Sequence, residues 1–433
     1  MSGHPWWLVA LAVIGAIALV AVLLGLFSNL GEDPERGTIT RVVPVGSREF
    51  LLAVAGSTNA PLREGGAARL LDNGDAFFPA IFGALESAER SINLMLYIWE
   101  PGAVSTRLFD VLVERARAGV QVRVMVDGLG GHKEPKERIR ELEGAGGKWC
   151  WFHPPRFGQL TYFHKRNHRR AIVVDGKIGF LGGAAVADKW QGNAQDAEHW
   201  RDAMVEVRGP LASNLQPAFV QLWSHVTGEA LSGPDFFPAH DGDAAPAGEE
   251  IAHHVSVLSS PDTDDYPLRR VFWISFRCAE ESIYITNPYF VPDQMAREVL
   301  KERARAGVDV RVLVPNEHND VFLIRWASHS YYEQLLEAGI RIYEYQPTMI
   351  HQKHLVVDDR WSVVGSANMD VRSKELNQEN VLGMADPGFA RAVRESFLAD
   401  LERAREIRLD EWRARPSWRR LPERFFCLFE EQF

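Results

Sequence analysis

The sequence predicts an α/β protein that contains two copies of one domain and a single transmembrane helix at the N-terminus. The first observation is a pattern of charged and hydrophobic residues near position 351 that recurs, without gaps, 183 positions earlier. The second is that strand-like and helix-like segments alternate in the same order in both halves of the chain. The third is an uncharged run of 22 residues, Trp6 to Phe27. Self-similarity over more than 80 residues in each half indicates a duplicated domain rather than a chance motif.

The N-terminal run has the length of a membrane-spanning helix, about 33 Å against a hydrocarbon core of about 30 Å. The alternative is a cleaved signal peptide, whose apolar region of about 7 to 15 residues would follow a basic segment. We therefore expect residues 1–30 to be a single-pass anchor in a cell membrane of the bacterial inner-membrane type. Arginines at 36, 41 and 48 follow the span and no lysine or arginine precedes it, which favours a cytoplasmic catalytic part.

The rest of the chain divides by composition into two domains, a linker and two flanking segments. The predicted boundaries are 31–63 for a connector, 64–231 for the first domain, 232–250 for a linker rich in Pro, Gly, Ala and Asp, 251–410 for the second domain and 411–433 for a tail. The tail mixes arginines with aromatic residues, which suits either a membrane interface or docking on the catalytic part.

Helix and strand periods recur in the same order in the two domains. In the first domain helix, strand, helix and strand are predicted at residues 77–89, 92–99, 106–118 and 120–126. In the second domain they are predicted at residues 268–278, 283–289, 296–306 and 308–314. This alternation predicts two α/β sandwiches with largely parallel sheets.

The second domain carries His351, Lys353 and Asp358 in an H-x-K-x4-D spacing, and Ser366 and Asn368 follow shortly after. Two short strands are predicted on either side of a turn at Asp358, so His351 and Lys353 point to the same side. An imidazole can attack phosphorus or protonate a leaving oxygen, and an ammonium can neutralise phosphate oxygens. The hydroxyl and the amide can add neutral donors. The set therefore predicts a site for a phosphodiester.

The first domain carries the near-copy, with His168, Arg170 and Asp175 in the corresponding positions. It differs from the second copy because Arg170 replaces the lysine, Gly183 the serine and Ala185 the asparagine. Arginine keeps the charge but has a planar group of different reach. The loss of one oriented donor typically slows an enzyme about 10²- to 10³-fold. A catalytically silent protein that retains the cleft is therefore one alternative.

Together with the stretches NPYFVPD (residues 287–293), WRD (200–202) and 328–347, these motifs resemble the phospholipase D superfamily, and within it the cardiolipin synthase branch of bacterial phosphatidyltransferases. The resemblance extends over roughly residues 60 to 425. It implies that the two domains pack across a pseudo-two-fold axis, with both histidines in one cleft. It also implies that His168 is the nucleophile and His351 the acid and base. Asp202 would orient the imidazole of His168, and Glu379 that of His351.

The remaining motif residues are assigned by the same resemblance. Gly183, Ser366 and Asn368 are the candidate phosphate-binding residues. Asp175 and Asp358 belong to the candidate catalytic set as members of the motif, although we expect them to hold strand and domain contacts rather than touch the substrate.

Composition excludes several other classes of protein. A net charge of -10 argues against capture of nucleic acid by bulk electrostatics. The three cysteines form no C-x-x-C pattern. His153, His164 and His168 lack an acidic or cysteine partner for a metal site, so we expect neither a metal nor a cofactor. The expected partners are phospholipids and the membrane, and no obligate protein partner is indicated.

Three functions are compatible with these residues. A phosphatidyltransferase would join two phospholipids, which the resemblance implies are two phosphatidylglycerols that give cardiolipin and glycerol through a phosphohistidine. A membrane-tethered phosphodiesterase would pass the same intermediate to water, and a silent protein would only bind lipid. Water and a lipid hydroxyl need the same catalytic residues, so the sequence leaves the acceptor open. Tyr97, Trp99, Tyr289 and Phe290, at the ends of predicted strands, are expected to line the cleft or belong to the core.

Overall fold

The structure of the protein is a computed structural model. It describes residues 37–433 with the exception of 132, 134, 156–164, 241–248, 264, 417–422 and 424–433, and before residue 37 only positions 7, 11, 13 and 15. The predicted anchor at residues 1–30 therefore lies almost entirely outside the described residues. Within the described part of the chain, no helix has both the length and the apolar character that a membrane crossing requires.

Strands and helices alternate along the chain in both halves. Up to residue 227 the elements are α1 (Arg48–Thr58), β1 (Leu62–Glu64), β2 (Ala67–Asp72), α2 (Gly74–Glu86), β3 (Ser91–Leu96), α3 (Ala103–Arg117), β4 (Gln121–Asp127), α4 (Lys136–Gly144), β5 (Lys148–Phe152), β6 (Arg166–Asn167), β7 (Ala171–Val174), β8 (Ile178–Gly182), β9 (Ala203–Arg208) and α5 (Pro210–Thr227). The later elements are β10 (Glu249–Glu250), β11 (His253–Ser259), α6 (Pro267–Cys278), β12 (Ser282–Thr286), α7 (Gln294–Arg305), β13 (Asp309–Pro315), α8 (Phe322–Glu337), β14 (Arg341–Tyr345), β15 (His354–Val357), β16 (Trp361–Gly365), β17 (Asn377–Ala385), α9 (Pro387–Leu401), β18 (Ala404–Ile407) and α10 (Leu409–Arg413).

Each half contributes one large sheet. The first has eight strands in the order β10–β2–β9–β8–β7–β3–β4–β5. The second has ten strands in the order β1–β11–β17–β16–β15–β12–β13–β14–β18, with β6 of the first half joined to β17. The series β9–β8–β7–β3–β4–β5 and β17–β16–β15–β12–β13–β14 repeat one topology, and this confirms the duplication predicted from the sequence.

The prediction of largely parallel sheets is wrong. Only β3, β4 and β5 run parallel in the first sheet, as do β12, β13 and β14 in the second, where β6 also runs parallel to β17. The other neighbouring strands are antiparallel. Among them, β7–β8 and β15–β16 are hairpins with short turns, which connect only antiparallel strands. In the first part of each half, strands alternate with helices, as in a parallel α/β fold. The hairpins that follow contain no helix, so the sequence pattern does not show that the strand direction becomes antiparallel there.

The repeated sequence ERARAGV marks the same structural feature in both halves. It ends α3 and α7 and leads into β4 and β13. Its glycines, Gly119 and Gly307, have φ angles of 92° and 98°, in the left-handed region that terminates helices. The repeat is therefore a helix stop that sends the chain back into the sheet.

The segment predicted as a connector, residues 31–63, contains part of the second domain. Phe50 in α1 is fully buried in a hydrophobic cluster of that domain, and its ring lies 5.2 Å from the ring of Trp361 in an edge-on arrangement. Strand β1 pairs with β11, the first long strand of the second half. Conversely, β10 lies in the predicted linker but pairs with β2 of the first sheet. Each domain is thus completed by a strand from outside its predicted boundaries.

The two halves share a core on the inner faces of their sheets. One hydrophobic cluster includes Met95 and Val205 of the first half together with Val356 and Leu382 of the second. In the tail, Trp412 is buried against His329 and Tyr332 of α8, with ring centroids 5.0 Å apart in both contacts. The described part of the tail therefore docks on the second domain, and residues 424–433 lie outside the described residues.

Candidate active site

The two motif histidines lie in one cleft between the halves, and the backbone of the opposite half places each of them. The amide of His168, which follows β6, donates to the carbonyl of Gln378 in β17 at 2.9 Å. The amide of His351 donates to the carbonyl of Arg201 at 2.7 Å, beside an isolated bridge between Arg201 and Ile350. The cleft is thus closed by two equivalent short strand pairings across the pseudo-two-fold axis.

Each histidine is paired with a carboxylate from the other half. The Nδ1 atom of His168 lies 2.7 Å from Oε1 of Glu379, and the Nδ1 atom of His351 lies 2.8 Å from Oδ2 of Asp202. All four side chains are buried. The predicted pairing of Asp202 with His168 and of Glu379 with His351 is therefore wrong, because the strands that carry the carboxylates cross the interface.

The crossed pairing sets the tautomer of His351. The ionised carboxylate of Asp202 accepts a proton-bearing nitrogen, so Nδ1 of His351 carries hydrogen and Nε2 is left to act on a substrate. At His168 the Nδ1 atom carries hydrogen when Glu379 is the acceptor. Burial lowers the pKa of His168 well below its ordinary value, and the neighbouring Arg170 and Lys353 lower it further. Burial and Lys353 also lower the pKa of His351 to about 4, although Asp202 opposes them. In the empty cleft both imidazoles are neutral at pH 7.

The two carboxylates have different electrostatic environments. Burial raises the pKa of Glu379 to about 8, although the Ser366 hydroxyl and Arg170 act in the opposite direction. Burial also acts to raise the pKa of Asp202, but His351 and Lys353 outweigh it and hold the pKa at about 2. Asp202 is therefore ionised at neutral pH and can stabilise an imidazolium at His351. Glu379 is a weaker partner for an imidazolium at His168.

Two buried basic side chains occupy equivalent positions in the two half-sites, and burial lowers the pKa of Lys353 to about 7 although Asp202 opposes it. Nζ of Lys353 lies 2.5 Å from the carbonyl oxygen of His351 and 3.0 Å from both ring nitrogens of that residue. Nη1 of Arg170 donates to the carbonyl of His168 at 2.7 Å. Arg170 is thus the spatial counterpart of Lys353, as its sequence position predicts. Its Nε and Nη2 are buried and have no partner among the described residues, so the three N–H groups on these two nitrogens are available to a phosphate.

Asp175 and Asp358 make equivalent contacts with the backbone in the two halves. Each residue begins a hairpin turn, with a φ angle of 53° for Asp175 and 52° for Asp358. Each carboxylate accepts three successive backbone N–H groups from the segment that leads into a central strand. The donors are Glu89, Arg90 and Ser91 for Asp175, and Glu280, Glu281 and Ser282 for Asp358. Both carboxylates thus hold strand contacts, as expected, and their membership of the catalytic set stays a prediction.

The three candidate phosphate-binding residues differ in what they contact. A Cβ atom at Gly183 would lie 2.4 Å from Oδ1 of Asp202, so glycine is required there by close packing. The Ser366 hydroxyl donates to Oε2 of Glu379 and is already used. Only Asn368 keeps a buried amide oxygen without a partner among the described residues, and it remains a predicted substrate contact.

Ala185, which occupies the position equivalent to Asn368, faces a different environment. It lines a small apolar pocket of about 20 Å³ between α2, α3 and the first sheet. Phe82, Leu108 and Met204 are among the other lining residues. An amide at this position would be placed in hydrophobic surroundings, where an unpaired polar group is unfavourable.

Aromatic residues surround both imidazoles. The rings of Tyr97 and His168 lie 5.1 Å apart, and those of Tyr289 and His351 lie 6.5 Å apart, so both tyrosines line the cleft. Trp99 and Phe290 are buried in hydrophobic clusters. Trp190 was not predicted from the sequence. Its ring lies 5.6 Å from that of His351, and its indole N–H donates to Asp202. No motif marks Trp190, which ends a short 3-10 helix, Asp188–Trp190.

Asp127 was also missed. It is fully buried at the end of β4 and accepts the amide of Asn167 at 2.9 Å and the guanidinium of Arg166 at 3.3 Å. It thereby fixes the segment that leads into His168. The sequence signal that could have identified Asp127 is its place directly after the apolar run of a predicted strand.

The histidines considered for a metal site do not cluster in the described part of the chain. His153 contacts the carbonyl of Lys165 through Nδ1 at 3.1 Å, His168 contacts Glu379, and His164 lies outside the described residues. Among the described residues, no group of three histidine, cysteine or acidic side chains is arranged to hold a metal ion.

Two duplicated α/β domains that bring together two histidine–carboxylate pairs and two buried cations define a protein of the phospholipase D type. A sequence model for the family described as "Cardiolipin synthase, PLD-like domain" matches residues 81–223 and 275–401. The chain belongs to this family.

Curated relatives align with most of the chain. It is 36% identical over 361 residues to cardiolipin synthase 2 of Bacillus anthracis, which covers 83% of this chain and 69% of the relative. It is 36% identical over 357 residues to a cardiolipin synthase of Geobacillus kaustophilus, covering 82% and 70%. The crystal structure of phosphatidylserine synthase from Haemophilus influenzae Rd KW20 superposes with a TM-score of 0.67 at 13% identity, covering 89% of this chain and 100% of that one. The superposition supports the fold.

Proposed function

We propose that the protein is a membrane-bound phosphatidyltransferase that forms cardiolipin from two phosphatidylglycerol molecules and releases glycerol. The observation that carries this proposal is the pair of crossed histidine–carboxylate contacts in one cleft. When a phosphodiester anion is bound, which favours the charged form of His351, such an arrangement can provide one neutral imidazole and one imidazolium. Membership of the cardiolipin synthase family, and relatives with that name, support the choice of reaction.

In the first step His168 acts as the nucleophile. Its Nε2 forms a bond to the phosphorus of the donor, and the bond from phosphorus to the glycerol oxygen breaks. His351, protonated on Nε2, gives that proton to the departing glycerol oxygen. The products are glycerol and a phosphatidyl group on His168. The assignment follows from the carboxylates, because ionised Asp202 favours the imidazolium at His351.

In the second step the intermediate passes to a second phosphatidylglycerol. The terminal hydroxyl of its glycerol group loses a proton to His351, which is now neutral, and the oxygen attacks phosphorus. The bond between phosphorus and His168 breaks, so both histidines return to their starting protonation states. The product carries two phosphatidyl groups on one glycerol, which is cardiolipin.

The buried cations provide the charge stabilisation that the reaction needs. A phosphodiester anion repels nucleophiles until its non-bridging oxygens are neutralised. The unpaired N–H groups of Arg170 and the ammonium of Lys353 lie on the two sides of the pseudo-two-fold axis and can contact those oxygens. An anion in the cleft also favours the charged form of His351, whose pKa is lowered when the cleft is empty. Arg170 thus supports an active enzyme over a silent relative.

The proposed location is the cytoplasmic face of a cell membrane of the bacterial inner-membrane type. The uncharged run from Trp6 to Phe27 supports an anchor, and the arginines after it support a cytoplasmic catalytic part. Single cysteines introduced at exposed positions, such as Arg107→Cys, should be labelled by a membrane-impermeant maleimide only after the cells are opened. Labelling in intact spheroplasts would contradict this orientation.

The reaction is tested with the full chain reconstituted in vesicles that contain labelled phosphatidylglycerol. We expect labelled cardiolipin and one glycerol released per cardiolipin formed. Phosphatidic acid as the main product would show that water is the acceptor, and no product at all would contradict an enzymatic role. Preparations of His168→Ala and His351→Ala serve as controls and should form neither product.

A further inference from the structure

The two carboxylates that hold the histidines are supported in different ways. In one half-site, the hydroxyl of Ser366 donates to Glu379. The gapless repeat places Gly183 at the equivalent position beside Asp202. A side chain cannot occur there, since a Cβ atom would lie 2.4 Å from Oδ1 of Asp202 and 2.7 Å from the carbonyl oxygen of His351. A motif side chain at position 183 therefore cannot donate a hydrogen bond to Asp202 as Ser366 does to Glu379.

Trp190 supplies a donor to Asp202 from a different part of the first half. Its Nε1 lies 2.8 Å from Oδ2 of Asp202, the oxygen that also accepts Nδ1 of His351. The indole is fully buried and packs edge-on against the rings of Trp200 and His351, at centroid distances of 4.9 and 5.6 Å.

The backbone around Trp190 is held independently of the cleft. Trp190 ends a short 3-10 helix, Asp188–Trp190. The carboxylate of Asp188 accepts the amides of Ala103 and Val104 at the start of α3, at 2.9 and 3.0 Å. The indole is thus held by ring contacts in the cleft and by the backbone contacts of Asp188, as expected for a side chain that positions Asp202.

We propose that Trp190 is a positioning residue whose role towards Asp202 is equivalent to that of Ser366 towards Glu379. Its indole N–H donates to Oδ2 of Asp202, the oxygen that also accepts Nδ1 of His351, and so sets the orientation and proton affinity of His351. This inference rests on the proposed function only for its kinetic consequences. Trp190 does not touch the substrate in this account, and it acts through Asp202.

The inference predicts the direction in which His351 responds to loss of the indole N–H. A donor on a carboxylate oxygen withdraws charge from it, so removing the donor makes Asp202 a stronger base towards His351. His351 then holds its proton more tightly, and its pKa rises. The other charged or titratable groups that face His351 or its partners include Lys353, Arg170, His168, His354, Glu379, Tyr289 and Lys189. Of this set, Lys189 lies against the substituted ring, and it keeps its contact with the ring of Trp200 at 4.5 Å.

The test compares Trp190→Phe with Trp223→Phe in the full chain. Trp223 is a matched control because its buried indole also donates to a carboxylate, Glu229, at 2.9 Å. The other contacts of this pair include those with Phe219, Arg123 and Lys148, which are not cleft residues. For Trp190→Phe we expect kcat to fall about tenfold. In the pH dependence of the rate, the apparent pKa that belongs to His351 should rise by several tenths of a unit to about one unit. Trp223→Phe should leave both the rate and this apparent pKa at their parental values.

Two further measurements keep the inference separate from the proposed function and from misfolding. Nuclear magnetic resonance titration of labelled His351 in micelles should show the higher pKa in Trp190→Phe even if the parent forms no cardiolipin. Trp190→His keeps a ring N–H near the same position, and it should leave the pKa of His351 near the parental value. An unchanged pKa of His351 in Trp190→Phe, or an equal change in Trp223→Phe, would overturn the inference. A parent without transferase activity would instead contradict the proposed function.

Discussion

Arg170 is the residue at which the two half-sites differ most in chemistry. The sequence placed it opposite Lys353, and the structure confirms this placement, because both cations contact the carbonyl of their own histidine. The sequence alone could not decide whether the guanidinium reaches the cleft. Its unpaired Nε and Nη2 show that it has hydrogen-bonding capacity left for a ligand.

Arg170→Ala should therefore remove about 2 to 4 kcal/mol of transition-state stabilisation, a loss of roughly 30- to 1,000-fold in kcat/KM. Arg170→Lys should keep or raise the rate, because Lys353 shows that an ammonium fits the equivalent position. The measurement is turnover of phosphatidylglycerol in mixed micelles. Arg107→Ala, on an exposed face of α3, is the control and should change nothing. Turnover that does not depend on Arg170 would contradict the two-half-site mechanism.

Glu379 and Asp202 provide a second residue-scale prediction, concerning stability against pH. The folded-state pKa of Glu379 is raised to about 8, above its ordinary value, so ionisation costs stability as the pH rises from about 4.5 through 8. The folded-state pKa of Asp202 is lowered to about 2, so ionisation contributes stability that is present above about 4 and lost towards pH 2.

At pH 8.5 Glu379→Gln should therefore unfold at a higher temperature than the parent, by the equivalent of about 2 kcal/mol, and the gain should shrink towards pH 5. Asp202→Asn should unfold at a lower temperature throughout this range. Thermal unfolding of the three full-length proteins in detergent measures both effects. Equal shifts of the same sign in the two variants would show that the carboxylates do not differ as described.

The secondary-structure elements follow the sequence closely where the hydrophobic period is strong. The helix predicted at 106–118 is Ala103–Arg117, and the strand predicted at 120–126 is Gln121–Asp127. The crossing of β6 onto β17, and of Arg201 onto Ile350, could not be predicted. These pairings are only one or two residues long and depend on how the halves meet, so no local period records them. The exchange of carboxylates between the histidines is a direct consequence.

Helix α1 gives a prediction at the element scale, because the sequence analysis placed it in a connector. Phe50→Ala should destabilise the second domain by about 3 to 5 kcal/mol, the usual cost of deleting a buried phenyl ring. Leu52→Ala is the matched control on the same helix, since Leu52 is half exposed, and it should cost little. Denaturant unfolding measures both variants. Equal, small effects would mean that residues 31–63 are only a connector.

At the scale of the whole molecule, the duplication explains why one cleft can perform two proton-transfer roles. The halves repeat one topology, but each completes the other's histidine with a carboxylate, so neither half contains a complete dyad. The resemblance in sequence implied the shared cleft and both histidines. It did not reveal the asymmetry between Glu379 and Asp202, because that depends on how deeply Glu379 is buried and on the contact of Asp202 with His351, which lies 149 positions away in the sequence.

The most direct test of the central claim is to trap the covalent intermediate with a phosphatidyl donor whose leaving group, such as p-nitrophenol, departs without an acid. In His351→Ala the first step then proceeds, but no base activates the acceptor. We expect one nitrophenol per protein in a single burst and a phosphatidyl group on His168, located by mass spectrometry. His168→Ala should show no burst. A burst in His168→Ala with the label on His351, or no label in either variant, would contradict the assignment of His168 as the nucleophile in a site shared by both halves.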